Sequence, residues 1–270
     1  LGEQRFALAA LTSLACARPW READNEVSGA IDHCNYYARE WLRISDNMRR
    51  RDIPGEINEY FYTPRGVTAV LPGNAGPLAQ LVGLTAAALV TGNTVVLRPT
   101  GPTAVLADRV AALLAEAGLP AGALNVLPGD DALAEALARH ARVATVAYAG
   151  PRPLGRRLYE HVVAHPTTPP GLKKFVGELG GKNTLIIDSD ADLDEAIKGV
   201  LDAAFGCAGQ RRSSCERVIV VAPIYERLMG RLVEAARSKG VGPADDPATS
   251  VPPVIDEATY NAVCAAIKAG

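Results

Sequence analysis

The sequence is poor in several residue types, and each shortage narrows what the protein can be. Aromatic residues make up 5% of 270 positions, with two methionines, two tryptophans and four histidines. No apolar run approaches the ~18 residues that a membrane-crossing helix needs, and no charged, apolar leader pattern opens the chain. A soluble, cytoplasmic protein is the expectation. The five cysteines (Cys16, Cys34, Cys207, Cys215 and Cys264) are odd in number and include no C-x-x-C pair, which argues for a reducing compartment rather than a disulfide framework. Of the histidines (His33, His140, His161 and His165), only the last two are four apart, and the four show no metal-ligand spacing, so no metal site is expected. Neither sign of charge dominates: the net charge is -2 and the pI near 6.1. That removes the electrostatic case for binding nucleic acid or an anionic membrane. Short arginine clusters at 49–51, 156–157 and 211–212 read first as solvated faces.

What remains is an ordinary globular composition, 48% hydrophobic and 21% charged, enough for one large domain or two modest ones. Residues 3–50 read as helices. Phe6, Leu8, Leu11 and Leu14 recur with helical spacing, and Val27, Ile31, Cys34, Tyr37, Ala38, Trp41 and Leu42 do so more strongly, behind an acidic start at Glu22, Asp24 and Glu26. Asp52-Ile53-Pro54-Gly55 breaks the helix, and Asn58 to Thr63 is an aromatic extended segment. From Val67 onward buried strands (67–71, 94–97, 124–127, 143–148) alternate with helices (78–90, 103–117, 132–140, 154–164). Such alternation means a parallel sheet covered on both faces. A loop-like patch at 166–171 precedes a second set: strands at 174–178, 184–187 and 218–221, and helices at 193–205, 225–239 and from 260. No internal repeat is visible.

Three local motifs bear on chemistry. Gly150-x-x-x-x-Gly155 lies between a strand and a helix, where backbone can approach a phosphate at a helix N-terminus; two glycines there also serve plain turn geometry. Glu178 followed by Gly180-Gly181-Lys182 joins a carboxylate to a flexible turn, which suits a general base or a surface acid ending a strand. Cys215 stands beside Arg217 and near Arg211 and Arg212, a setting that raises the thiolate fraction unless the thiol is simply a small core residue.

Order and spacing turn these signals into a resemblance. It rests on Pro19-Trp20-Arg21-Glu22-Ala23-Asp24, Ala30-Ile31-Asp32, Tyr36 to Glu40, Tyr62-x-Pro64-Arg65-Gly66-Val67, Ala87 to Leu97, Glu116 to Pro120, Glu178 to Asn183, Asp190 to Ala196 and Gly209-Gln210. Through these the whole chain resembles the aldehyde dehydrogenase superfamily. The branch indicated is the one that oxidises glutamate semialdehyde: the pyrroline-5-carboxylate dehydrogenases and the matching domain of bifunctional proline-catabolic enzymes. The resemblance implies an α/β fold, with a Rossmann-type dinucleotide-binding domain at 1–178 and the first part of a second α/β catalytic domain at 179–270. It implies an oligomerisation-hairpin-like segment at about 52–66, NAD or NADP as cofactor, an aldehyde or carboxylate as ligand, and a homo-oligomer or larger assembly.

It also implies site residues. Glu178 takes the place of the acid that activates water or relays a proton. The nucleophilic cysteine of the family falls 34 residues later, at Arg212. Asn74 and the N–H of residue 212 form the oxyanion hole. Arg98, Pro99, Gly150, Gly155, Leu179 and Gly180 occupy cofactor-binding positions. Several of these depart from the family pattern. A guanidinium is no nucleophile, although Arg212 can pair with Glu178 or bind a carboxylate. Pro72-Gly73-Asn74-Ala75-Gly76-Pro77 is one residue longer than the family's Pro-Trp-Asn-Phe-Pro and lacks both aromatics. Gly101 stands where a ribose-binding glutamate is usual, and Pro151 replaces a hydroxyl residue and removes an N–H. Only 58 residues follow position 212, fewer than the family carries there, so a fragment or a shortened domain is expected. The hairpin-like segment then lacks its usual partner strand and offers an edge for pairing. Three readings stay open: a degenerate dehydrogenase, an enzyme using Cys215, which a helix starting at 212 would place one turn on, or a working enzyme altered at position 212.

Overall fold

The structure, a computed structural model, describes residues 1–46, 48–49, 53–168 and 171–269. Asp52 of the expected helix break, Arg50 and Arg51 of the first arginine cluster, and Pro169 and Pro170 of the loop-like patch lie outside the described residues. Two helices lead, α1 (Arg5–Cys16) and α2 (Trp20–Ser45), followed by a short ribbon of β1 (Met48–Arg49) and β2 (Glu59–Tyr60). The ribbon is antiparallel, with Met48 opposite Tyr60 and Arg49 opposite Glu59. The main alternation runs β3 (Val67–Leu71), α3 (Ala79–Val90), β4 (Thr94–Leu97), α4 (Ala104–Glu116), β5 (Leu124–Val126), α5 (Asp131–Arg139), β6 (Val143–Gly150), α6 (Arg152–Ala164) and β7 (Lys174–Leu179). Then come β8 (Asn183–Ile187), α7 (Leu193–Phe205), β9 (Cys215–Val220), α8 (Tyr225–Arg237) and α9 (Glu257–Ala269).

Strands β3 to β7 form one parallel sheet in the order β5-β4-β3-β6-β7. β7 is therefore an edge strand of this first sheet and does not belong with the second set of elements. Side chains alternate across a strand, and the core divides accordingly. Val70, Val95 and Leu97 face α1, α2, α3 and α4 through Leu8, Val27, Leu81 and Leu106. Ala69, Leu71 and Val146 face α5 and α6 through Ala134, Leu154 and Leu158. The chain thus winds one way from β3 to β5 and the other way through β6 and β7. The change of direction lies between β3 and β6, at the centre of the sheet. β8 and β9 make a separate parallel pair that packs with α7 and α8 around Ile187, Val200, Leu201 and Leu228.

The leading helices differ from the periodicity expected of them. In α1 the buried face is Leu8, Ala9, Thr12, Ser13 and Cys16, while Phe6 and Leu14 are exposed. Small residues at those spacings let α1 lie close to α2, and the Thr12 hydroxyl donates to Leu8 O at 2.8 Å. In α2 burial is confined to Ala23, Val27 and Ala30, and Leu42 is exposed beyond the sheet.

Candidate functional site

In an open parallel sheet the carboxyl ends of strands on either side of a direction change leave a crevice. Here it is a cleft of about 820 Å³. Pro72, Gly73 and Asn74 after β3, Arg98 after β4, Ala149 and Gly150 at the end of β6, and Glu178 in β7 all line it. The far wall is Ala208 to Arg212 and the start of α9. Gly73 is required by this geometry: a Cβ there would stand 2.6 Å from the Ala149 carbonyl oxygen. The aromatic missing at this position could not enter the backbone as it stands.

At one end of the cleft Arg212 Nη1 donates to Glu178 Oε2, and Gln80 Nε2 donates to the same oxygen at 2.8 Å. Asn74 Oδ1 accepts from the Thr100 hydroxyl at 2.5 Å, which leaves the amide N–H group as the end available to a ligand. Arg212 lies on a turn between a short 3-10 helix (Gly206–Gly209) and β9. Asn183 holds that turn, its Nδ2 donating to Arg212 O at 2.9 Å and Ser214 O at 3.0 Å. Cys207 and Ala208 carry φ of 51° and 55°, left-handed values that side chains other than glycine seldom adopt. Their support is buried. Fully buried Arg18 donates to Asn74 O at 2.7 Å and Cys207 O at 3.3 Å, and Glu22 accepts the Cys207 N–H at 2.7 Å. Burial pushes the Cys207 thiol up to about 11, opposed by Arg18. Glu26 accepts from the N–H groups of Leu78 and Ala79 at the start of α3; burial raises its carboxyl above the usual range, against those bonds and Arg18.

At the other end Arg98 is buried. Its Nη2 is 3.2 Å from Asp131 Oδ1, while its buried Nε has no partner among the described residues. Arg157 Nη2 is 3.8 Å from Asp131 Oδ2, and its Nε donates to Glu135 at 2.8 Å. Tyr148 donates its hydroxyl to Pro151 O at 2.9 Å; burial, then Asp131, pushes it up to about 12. Gly150 has φ of 155° and closes β6 opposite Leu179, and a Cβ on Gly155 would strike the Leu179 side chain at 2.3 Å.

The comparisons agree with this geometry. Residues 1–270 match the aldehyde dehydrogenase family. This chain belongs to that family. It is similar to the 1-pyrroline-5-carboxylate dehydrogenase of Geobacillus thermodenitrificans, 40% identical over 94% of this chain and 49% of that protein. It superimposes on proline utilization A from Bdellovibrio bacteriovorus with a TM-score of 0.96 at 39% identity, covering 99% of this chain and 28% of that one. The Thermus 1-pyrroline-5-carboxylate dehydrogenase with bound NAD gives 0.94 at 31% identity, covering 99% and 52%. The chain spans about half the length of the curated relatives it matches.

Of the residues the aldehyde dehydrogenase resemblance singled out, Asn74, Arg98, Gly150, Glu178, Gly180 and Arg212 line one cleft. Pro99, Gly155 and Leu179 pack behind it and are not among its lining residues. Cys215 is placed otherwise than expected. It opens strand β9 rather than lying on a helix from 212, it is buried and absent from the cleft lining, and its Sγ bonds Arg217 O at 3.2 Å. The reason is local: Asn183, which pairs with Cys215 across β8 and β9, pulls the chain into the sheet directly after the turn. Glu135 lies 3.3 Å from His161, but it serves Arg157 and Arg139 as well. No group of three metal-ligating side chains occurs among the described residues. Nor is any helix among them long and apolar enough to cross a membrane. Sequence reasoning assigned no role to Arg18, Gln80, Asp131, Tyr148 or Arg157. Arg18, Gln80 and Asp131 come from segments distant in sequence from Glu178 and Arg212, Tyr148 stands two residues before Gly150, and Arg157 belongs to the cluster that reads first as a solvated face.

Proposed function

We propose that this chain is a nicotinamide-dinucleotide-binding member of the pyrroline-5-carboxylate dehydrogenase branch whose thiol chemistry has been lost. The observation that carries the reading is the ion pair between Arg212 and Glu178. A guanidinium stays protonated and offers no lone pair to a carbonyl carbon. Both donors also occupy Glu178 Oε2, one of the two oxygens a general base would present to water. Cys215 does not replace the lost nucleophile, since its thiol is buried against a backbone carbonyl and a displacement of even ~1 Å can cost on the order of a hundredfold in rate.

Dinucleotide binding is supported by the cleft's position at the direction change, by a volume within the roughly 300–1,000 Å³ typical of cofactor sites, and by the buried, unpartnered Arg98 Nε. The grip on the phosphates is reduced: α6 begins with Pro151 as its cap and Pro153 in its first turn, so two N–H donors are missing. When bound, the nicotinamide ring would accept hydride. In this chain Arg98, Thr100 and Gly150 would hold and orient the dinucleotide, and Asn74 would keep an oriented donor beside it.

The test combines turnover with thiol labelling. With NAD and glutamate semialdehyde the protein should form no NADH. Iodoacetamide should modify Cys215 slowly, whereas Arg212→Cys should gain one thiol that reacts at least about tenfold faster. NADH formation by the unaltered protein, or rapid labelling of Cys215, would overturn the reading.

A further inference from the structure

Position 101, where the family's ribose-binding glutamate is usual, is a glycine here. It is exposed, it does not line the cleft, and a Cβ on it would meet nothing within 4 Å. A ribose carboxylate is nevertheless available. Asp131 begins α5 at the same end of the cleft, and its side chain is 60% exposed and lines the cavity. Its two oxygens face different guanidiniums. Arg98 donates to Oδ1 at 3.2 Å, and Arg157 lies 3.8 Å from Oδ2. Arg98 is itself fixed, since its backbone N–H donates to Val70 O at 2.9 Å and its side chain is 7% exposed.

We propose that Asp131 is the residue that holds the adenosine ribose hydroxyls of a bound dinucleotide, and that it makes the site prefer NAD to NADP. The inference rests on the dinucleotide reading above. An ionised carboxylate has about four acceptor directions, and Arg98 occupies one, with Arg157 near as a charge but beyond hydrogen-bond distance. The remaining ones suit a vicinal diol, which has two O–H donors and no charge. The ribose of NAD presents that diol. The ribose of NADP presents a 2′-phosphate instead, which brings a second anion against the carboxylate. Arg98 and Arg157 are already engaged by Asp131, and Arg157 also by Glu135, so they attract the phosphate only at the expense of those pairs.

The experiment is calorimetric titration of the unaltered protein, of Asp131→Asn, and of Asp131→Asn combined with Gly101→Glu. The ligands are NAD, NADP and ADP-ribose, the last lacking the nicotinamide, and thermal unfolding confirms that each variant is folded. Asparagine keeps the shape and one acceptor but removes the charge. The unaltered protein should bind NAD and ADP-ribose more tightly than NADP. Asp131→Asn should weaken both by about tenfold, the size of one lost charge-assisted hydrogen bond, while NADP changes by less than about twofold or tightens. The added Gly101→Glu should recover part of the NAD affinity, because that position has room. Unchanged NAD affinity in Asp131→Asn, or an equal loss for NAD and NADP, would overturn the assignment while leaving dinucleotide binding intact. Absence of NAD and ADP-ribose binding in the unaltered protein would overturn both.

Discussion

Arg98 and Arg212 both line the cleft and both face a carboxylate, yet their settings differ. The Arg98 side chain is 7% exposed and grows from the end of a central strand, its backbone bonded into β3. The Arg212 side chain is 49% exposed and sits on a turn whose shape is held by Asn183. An exposed ion pair contributes about 0.2–1 kcal/mol, whereas a buried guanidinium that loses its partner is costly. The difference teaches where this molecule tolerates change. The Arg98 end is part of the sheet's own construction, and the Arg212 end is laid on the surface between two sheets. A side chain at position 212 can therefore change without asking the fold to repack.

That contrast can be broken most directly at Arg18, which ties the turn after β3 to the segment before Arg212 by bonding Asn74 O and Cys207 O. Arg18→Met should lower stability by about 3–4 kcal/mol in denaturant unfolding, because two carbonyls lose their donor and Glu26 loses a buried counter-charge. A loss below about 1 kcal/mol would mean that the Arg212 end keeps its shape without this buried support. Next in size is Gly73→Ala. Its Cβ would press on the Ala149 carbonyl, and both backbones belong to central strand ends. The expected cost is about 2 kcal/mol in the same measurement, with weakened NAD binding. A neutral outcome would show that the crevice is looser than its packing indicates.

The sheet was legible in the sequence because its strands are short apolar runs between amphipathic helices, a pattern that burial on both faces imposes. Edges were less so. β7 reads like the start of a new unit, since Lys174 to Glu178 carries little apolar alternation, and only its pairing with β6 assigns it to the first sheet. The exposed Phe6, Leu14 and Leu42 misled the helical periodicity, because a face built from Ala9, Thr12 and Ser13 packs closely without being strongly apolar. At the site, Glu178, Asn74 and Gly150, which the family resemblance singled out, line one cleft. Arg18, Asp131 and Arg157 were invisible, because a buried or paired charge acquires its meaning from partners far away in the chain.

The smallest expected effect is the sharpest check on the comparison. Arg212→Ala removes the exposed ion pair and leaves Gln80 as the remaining donor on Glu178 Oε2. Stability should change by no more than about 0.5 kcal/mol, and NAD affinity by less than about twofold. The turn keeps its Asn183 bonds, which engage the backbone of residue 212 rather than its side chain. A loss above about 2 kcal/mol would show that the guanidinium supports the fold, and position 212 would then have to be regarded as rebuilt together with its surroundings. Near-neutrality would instead separate the two parts of this residue: its side chain is free to vary, while its backbone, held by Asn183, decides the shape.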